Sequence, residues 1–204
     1  MEVLHLFIRN ERSIKEFMRL YPIVSWIVMI NTAIFLLIQV LPFNTIMLWG
    51  LGYNGLIAQG EYWRILTPIF MHASVGHFVF NTFSLIIFGP ALERILNKFK
   101  FTIIYLLTGI IGNIGTFVFE GPTYSHLGAS GAIYGLLGVY FFMRFLRKDL
   151  IDPGSAQIVI IILIIGAAYT VISPTINLLA HLFGFVGGAL LAPLFLPKER
   201  RRYL

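Results

Sequence analysis

Residues 126–146 read HLGASGAIYGLLGVYFFMRFL, and they divide in the middle. From Ile133 onward the run is apolar and ends on Arg144. Before it a lone hydroxyl, Ser130, stands among Gly128, Gly131 and Gly135. In water, glycine costs a helix about 1 kcal/mol relative to alanine. In lipid, small residues four apart form a face on which helix backbones approach closely. The chain around the stretch decides between these settings. It is 58% hydrophobic and 12% charged, with 19 Phe and a mean hydropathy of +0.85. A soluble domain carries about 25% charged residues. This is a membrane chain, and Ser130 sits at depth in it.

At about 20 apolar residues per span, 204 residues hold about six helices and no separate soluble domain. Six apolar segments are predicted, at 23–41, 75–95, 100–119, 130–146, 156–173 and 177–196. Residues 1–22 are read as a leader with the pattern of an amphipathic or a solvated helix. Residues 23–196 form the membrane domain, and 197–204 a basic tail. The connection 42–74 is too polar to cross lipid, and its Trp49, Tyr53, Tyr62 and Trp63 suit the interface. It is expected to be partly structured. The loop 120–129 is expected to dip into the membrane, which exposes backbone polar groups unless protein or a water cavity surrounds them.

Zero cysteines exclude disulfides, thiol nucleophiles and Cys-based metal sites. No cleavable signal peptide is predicted. Fourteen of the fifteen basic residues fall on one side of the six-span layout, in 1–22, 94–100, 144–148 and 198–202, and only Arg64 falls on the other. The positive-inside rule then puts both termini in the cytoplasm. The same asymmetry accounts for the net charge of +6, and nucleic acid is not needed as a partner.

In that layout segments two, four and six begin at the outer leaflet. His77 and Asn81 lie early in segment two, Ser130 opens segment four, and His181 lies early in segment six. Three distant segments thus carry polar groups to one depth, where such groups face a bundle interior or a cavity. A serine needs a base within hydrogen-bond reach, and His181 is the candidate. An attacked carbonyl needs preorganised donors. His77 and Asn81, four apart on one helix face, and the Ser130 backbone N–H at a helix start, can supply them. Tyr134, one turn on from Ser130, can stack on His181 or simply pack. Gly131 and Gly135 would meet Gly184 and Gly188, and Gly128 would ease the entry to segment four.

These stretches resemble a known family. HLGASGAIYG is similar to the GxSG nucleophile motif of rhomboid intramembrane serine proteases. FMHASVGHFVFN is similar to their second-helix motif, and AHLFGFVGG to the sixth-helix HxxGxxxG motif. The resemblance runs from about Tyr62 to Gly188. It implies an all-α polytopic fold of six helices around a water-filled cavity open to the outside, with helix five as lateral gate. It implies Ser130 as nucleophile, His181 as base, and His77 and Asn81 as oxyanion donors. His72 would belong to a water-holding region, and Trp63, Arg64, Glu93 and Arg94 would be structural. The implied substrates are single-span membrane proteins cut near the outer face, and a bacterial plasma membrane fits the minimal form. No metal or other cofactor is implied. Oligomeric state, physiological substrate, whether helix five or the first loop is the gate, and the roles of His5 and of His126 near the cavity mouth stay open.

Each residue also has a plain structural reading: Ser130 and the glycines as packing, His181 as a bonded core histidine, Asn81 as helix glue. Three rival functions stand beside the protease. A metal enzyme using His72, His77 and His181 would need an HExxH run or a carboxylate beside those histidines; the sequence has no HExxH, and no carboxylate falls near the site. A transporter would need polar residues continuing to the inner side. A client-binding relative without activity would lack the serine or the histidine.

Overall fold

The computed structural model describes residues 7, 11–40, 45–173 and 175–198. Most of the predicted leader before residue 11, and the tail beyond 198, lie outside the described residues, as does His5. A short helix α1 (Ile14–Leu20) starts on Ser13, whose hydroxyl accepts from the Glu16 N–H. Five helices are long and apolar enough to cross a membrane: α2 (Pro22–Val40), α5 (Val75–Leu96), α6 (Lys98–Phe119), α8 (Pro153–Ile172) and α9 (Leu178–Phe195). A sixth, α7 (Ser130–Leu146), is apolar but shorter, with 17 residues. The chain is an all-α polytopic membrane protein.

The long helices start where side chains can close their free N–H groups. Ser74 caps α5, Asn97 caps α6, Asp152 caps α8 with Pro153 in its first turn, and Asn177 caps α9. Helix α7 differs, since its N-cap is Ala129 and no side chain bonds its first turn.

At about 1.5 Å per residue, α7 is about 25 Å long, less than the roughly 30 Å of a hydrocarbon core. It forms the centre of the bundle and packs on α5, α6, α8 and α9. Leu136, Val139, Tyr140 and Met143 are fully buried, and the Tyr140 hydroxyl donates to the Phe88 carbonyl of α5 at 2.7 Å. Glycine brings α9 close to it. Gly184 lies against the Gly131 carbonyl and Gly188 against the Gly135 carbonyl, and Gly138 lies against the Phe185 carbonyl. A Cβ at any of the three would strike backbone, which cannot move aside as a side chain can.

The connection 45–74 is built of short pieces: α3 (Thr45–Gly50), β1 (Gly52–Tyr53), α4 (Asn54–Ala58), and 3₁₀ turns at Tyr62–Ile65 and Thr67–Phe70. Strand β1 pairs antiparallel with β2 (Ser125–His126), with Gly52 opposite His126. Part of the loop before α7 is therefore tied to the connection, and the Pro122 and Tyr124 carbonyls also accept from the Gly55 and Asn54 N–H groups at 2.7 and 3.1 Å. Arg64 pins this layer. It is buried, and its guanidinium bonds the Leu48 and Leu51 carbonyls at 2.8 Å each and Glu61 at 2.6 Å. Trp63 stacks on Trp49 and donates to its carbonyl at 3.2 Å. At the other end of α5, buried Glu93 accepts from the Ile23 and Val24 N–H groups at 2.9 Å each, so a carboxylate closes the start of α2. Arg94 beside it is exposed.

Candidate active site

Ser130 is the first residue of α7 and stands two residues after Gly128, whose φ of +130° is a conformation few side chains adopt. A side chain at Gly128 would also meet the His77 ring, its Cβ 2.6 Å from Nε2, and would lie 3.6 Å from Ser130 Oγ. Glycine thus leaves open a small space bounded by the serine hydroxyl on one side and the His77 imidazole on the other. Gly128 N–H donates to the Pro68 carbonyl at 2.9 Å, which fixes the turn.

His181 is the fourth residue of α9, in its first turn, and is 8% exposed. Its helix is anchored by Asn177, whose Oδ1 accepts from the Ala180 N–H and whose amide donates to Thr116 on α6 at 2.9 Å. The Ala180 carbonyl lies 3.3 Å from the Cβ position of Gly131, so the start of α9 meets the start of α7. The Tyr134 and His181 rings stack with centroids 4.1 Å apart and planes 13° from parallel. His181 Nδ1 is 2.9 Å from Thr170 Oγ1 on α8. Among the described residues Ser130 Oγ and His181 are not hydrogen-bonded to each other. Such bonds are often long before substrate binds.

On α5, His77 is in the first turn, and its ring meets His72 edge-on at 5.1 Å. Asn81 is buried on the same face, and its amide donates to the His77 carbonyl at 2.8 Å. One of its two N–H groups is therefore committed to its own helix, and the other remains. His72 is fully buried, and neither of its ring nitrogens meets a partner among the described residues. Burial, and then the neighbouring His77, lower its pKa to about 3, so it is neutral at pH 7. His126 packs across the ribbon on Gly52, and burial lowers its pKa to about 4. Among the described residues no three His, Asp or Glu side chains come together as a metal site.

The rhomboid domain family matches residues 59–198, which contain every residue of this site. The chain belongs to the rhomboid family. It is 45% identical over 201 residues to the Bacillus subtilis protein named "Putative rhomboid protease YdcA", covering 97% of this chain and all of that one. It is 36% identical to Rhomboid protease GluP of the same organism, over 82% of this chain and 35% of that longer protein. It is 30% identical to Rhomboid-like protease 1 of Toxoplasma gondii, over 86% of this chain and 62% of the other. The rhomboid is thus a multi-pass membrane protein and an intramembrane endopeptidase of the serine type.

Two groups at the rhomboid's site carry no mark in its sequence motifs. Asn177 stands four residues before His181 and has the residue type and position of a helix cap, so that signal was available. Thr170 had none. It is one of three hydroxyl side chains in an apolar helix, with Ser155 and Tyr169, and lies eleven residues upstream of the histidine it touches.

Proposed function

We propose that Ser130 and His181 form a catalytic dyad that cleaves the transmembrane segments of single-span membrane proteins near the outer face of the membrane. The observation that carries this reading is the meeting of Gly184 with the Gly131 carbonyl. It sets the residue after Ser130 against the helix turn that bears His181. Ser130 Oγ attacks the scissile carbonyl carbon as its proton passes to His181. The tetrahedral oxyanion is met by the Ser130 N–H, the His77 imidazole and the free Asn81 N–H. The uncapped first turn of α7 supports this, since its N–H groups and helix dipole favour negative charge. His181 returns the proton to the leaving amine as the peptide bond breaks. Water then attacks the acyl-serine by the same base, which frees the second product and Ser130.

Tyr134 holds the His181 ring plane, and His72 belongs to a region that holds water for deacylation. Its unbonded ring nitrogens support that role. Trp63, Arg64, Glu93 and Arg94 shape the fold around the site, and α8 is the gate through which substrate enters. The basic residues support cytoplasmic termini, a leader at 1–22 and a tail at 197–204 on that side, and a site open to the outside of a bacterial plasma membrane.

Ser130→Ala and His181→Ala are each expected to lower cleavage of a single-span substrate in liposomes by on the order of 10⁴-fold or more. A serine-directed probe is expected to label Ser130 only when His181 is present. Retained cleavage by either variant, in protein that melts like the parent, refutes the dyad, whereas a parent that binds the substrate without cutting it returns the chain to client binding without catalysis. Asn81→Ala is expected to slow turnover by about 10²-fold, and an unchanged rate removes it from the oxyanion site.

A further inference from the structure

Thr170 is a buried residue of α8, 5% exposed. Three atoms surround its hydroxyl. The Gly166 carbonyl oxygen is 2.7 Å away, His181 Nδ1 2.9 Å, and Tyr134 Oη 3.2 Å. A hydroxyl has one hydrogen and two lone pairs, so three partners saturate it and each must take a definite role.

The Gly166 carbonyl has no hydrogen to offer. Two oxygens facing each other at 2.7 Å with no hydrogen between them repel. The Thr170 hydrogen therefore points to Gly166. Thr170 Oγ1 is then an acceptor on its other sides, and the hydrogen on the His181 contact belongs to Nδ1. The Tyr134 hydroxyl donates to the remaining lone pair. A neutral imidazole carries one N–H, so Nε2 is left bare. This tautomer is assigned from the network of partners.

We propose that Thr170 is a positioning residue that holds His181 as the Nδ1–H tautomer, with Nε2 free to take the Ser130 proton. The inference rests on the proposed dyad. The other tautomer presents an N–H to the serine and cannot act as its base. In many serine hydrolases a carboxylate imposes this choice. Here the cleft beside the ring is lined by Ile164, Ala167, Leu182 and Phe185 and by no acidic side chain. An ionised carboxylate at that depth is costly, whereas a hydroxyl with all three partners is not. Tyr134 stacking sets the plane of the ring, and Thr170 sets which nitrogen faces which way.

The test uses full-length protein in detergent micelles with ¹⁵N-labelled histidine, comparing the parent, Thr170→Val and Thr170→Ser. Valine keeps the branched shape and removes the oxygen; serine keeps the oxygen. The parent is expected to show His181 protonated at Nδ1. Thr170→Val is expected to shift it toward the Nε2–H form or a mixture, and to lower kcat about tenfold with little change in KM. Thr170→Ser is expected to restore both the tautomer and kcat. A parent already in the Nε2–H form overturns the proposal, even where the valine variant does not fold. So does a valine variant with the parental tautomer or the parental kcat. Failure of the dyad itself would be read separately, as cleavage by Ser130→Ala.

Discussion

The two sides of α9 are built differently. Toward α7 it meets backbone: Gly184 and Gly188 lie against the Gly131 and Gly135 carbonyls, with no side chain between them. Toward α8 it meets side chains around an open cleft of ≈ 360 Å³, lined by Phe141, Leu163, Ile164, Thr170, His181 and Phe185 among others. Only 22% of the spanning window of α8 is buried, against 33–50% for the other four long helices. A backbone seam has one distance of closest approach, and a side-chain contact has many. The seam is thus suited to hold Ser130 and His181 in register. The α8 side reaches His181 through one hydroxyl and leaves room for movement.

Breaking the seam is expected to have the largest effect. Gly188→Ala puts a methyl group into the Gly135 carbonyl and its neighbouring backbone atoms. Overpacking of this kind costs typically 1–3 kcal/mol, and the upper end, about 3 kcal/mol, is expected because no side chain can swing away. Thermal melting in detergent and cleavage of a single-span substrate would both fall. A variant that melts and cleaves like the parent would show that α7 and α9 can separate without harm.

This contrast explains what the sequence could and could not disclose. The predicted segment 130–146 coincides with α7 because a glycine-opened apolar run ending in arginine has little freedom. The segment predicted to start at 156 starts at Pro153, since Asp152 caps it and Pro153 fits the first turn, a signal that was there to be read. The ribbon of Gly52–Tyr53 with Ser125–His126 was not legible, because two-residue strands more than 70 positions apart have no period. At the site, the topology predicted from the basic residues assigns His77, Asn81, Ser130 and His181 to one depth. What depth could not supply was orientation. It did not show that the Asn81 amide turns back to the His77 carbonyl, or that a hydroxyl from α8 reaches His181. Those depend on rotamers and helix crossing, which no spacing in the chain encodes.

A smaller effect is expected where the two sides meet through Tyr134. A Cβ at Gly166 on α8 would lie 2.5 Å from the Tyr134 hydroxyl, so Gly166→Ala must displace the ring or the helix. Unlike the seam, α8 can give way. Stability should therefore drop by less than about 1 kcal/mol, with alanine's helix preference offsetting part of the strain. Turnover should fall more than stability, by about tenfold, because the Tyr134–His181 stack and the Tyr134–Thr170 bond shift together. Parallel measurements of melting and kcat decide this. A loss of stability as large as that in Gly188→Ala would mean that α8 is held as firmly as the seam.

The smallest effect is expected on the lipid side of α8. Ile164 lines the cleft and is 64% exposed. In a soluble protein a half-exposed isoleucine still gains from leaving water, but in a bilayer its surroundings are acyl chains as apolar as itself. Ile164→Ala removes side-chain volume that lipid can refill, so no cavity term of the soluble-core kind arises. Stability in liposomes should change by less than about 0.5 kcal/mol. Leu136→Ala serves as the reference, since that side chain is fully buried in α7 and nothing can replace it; there about 2–5 kcal/mol is expected. Equal losses at the two positions would mean that α8 packs as a core helix, and the distinction between a rigid seam and a yielding flank would fall with it.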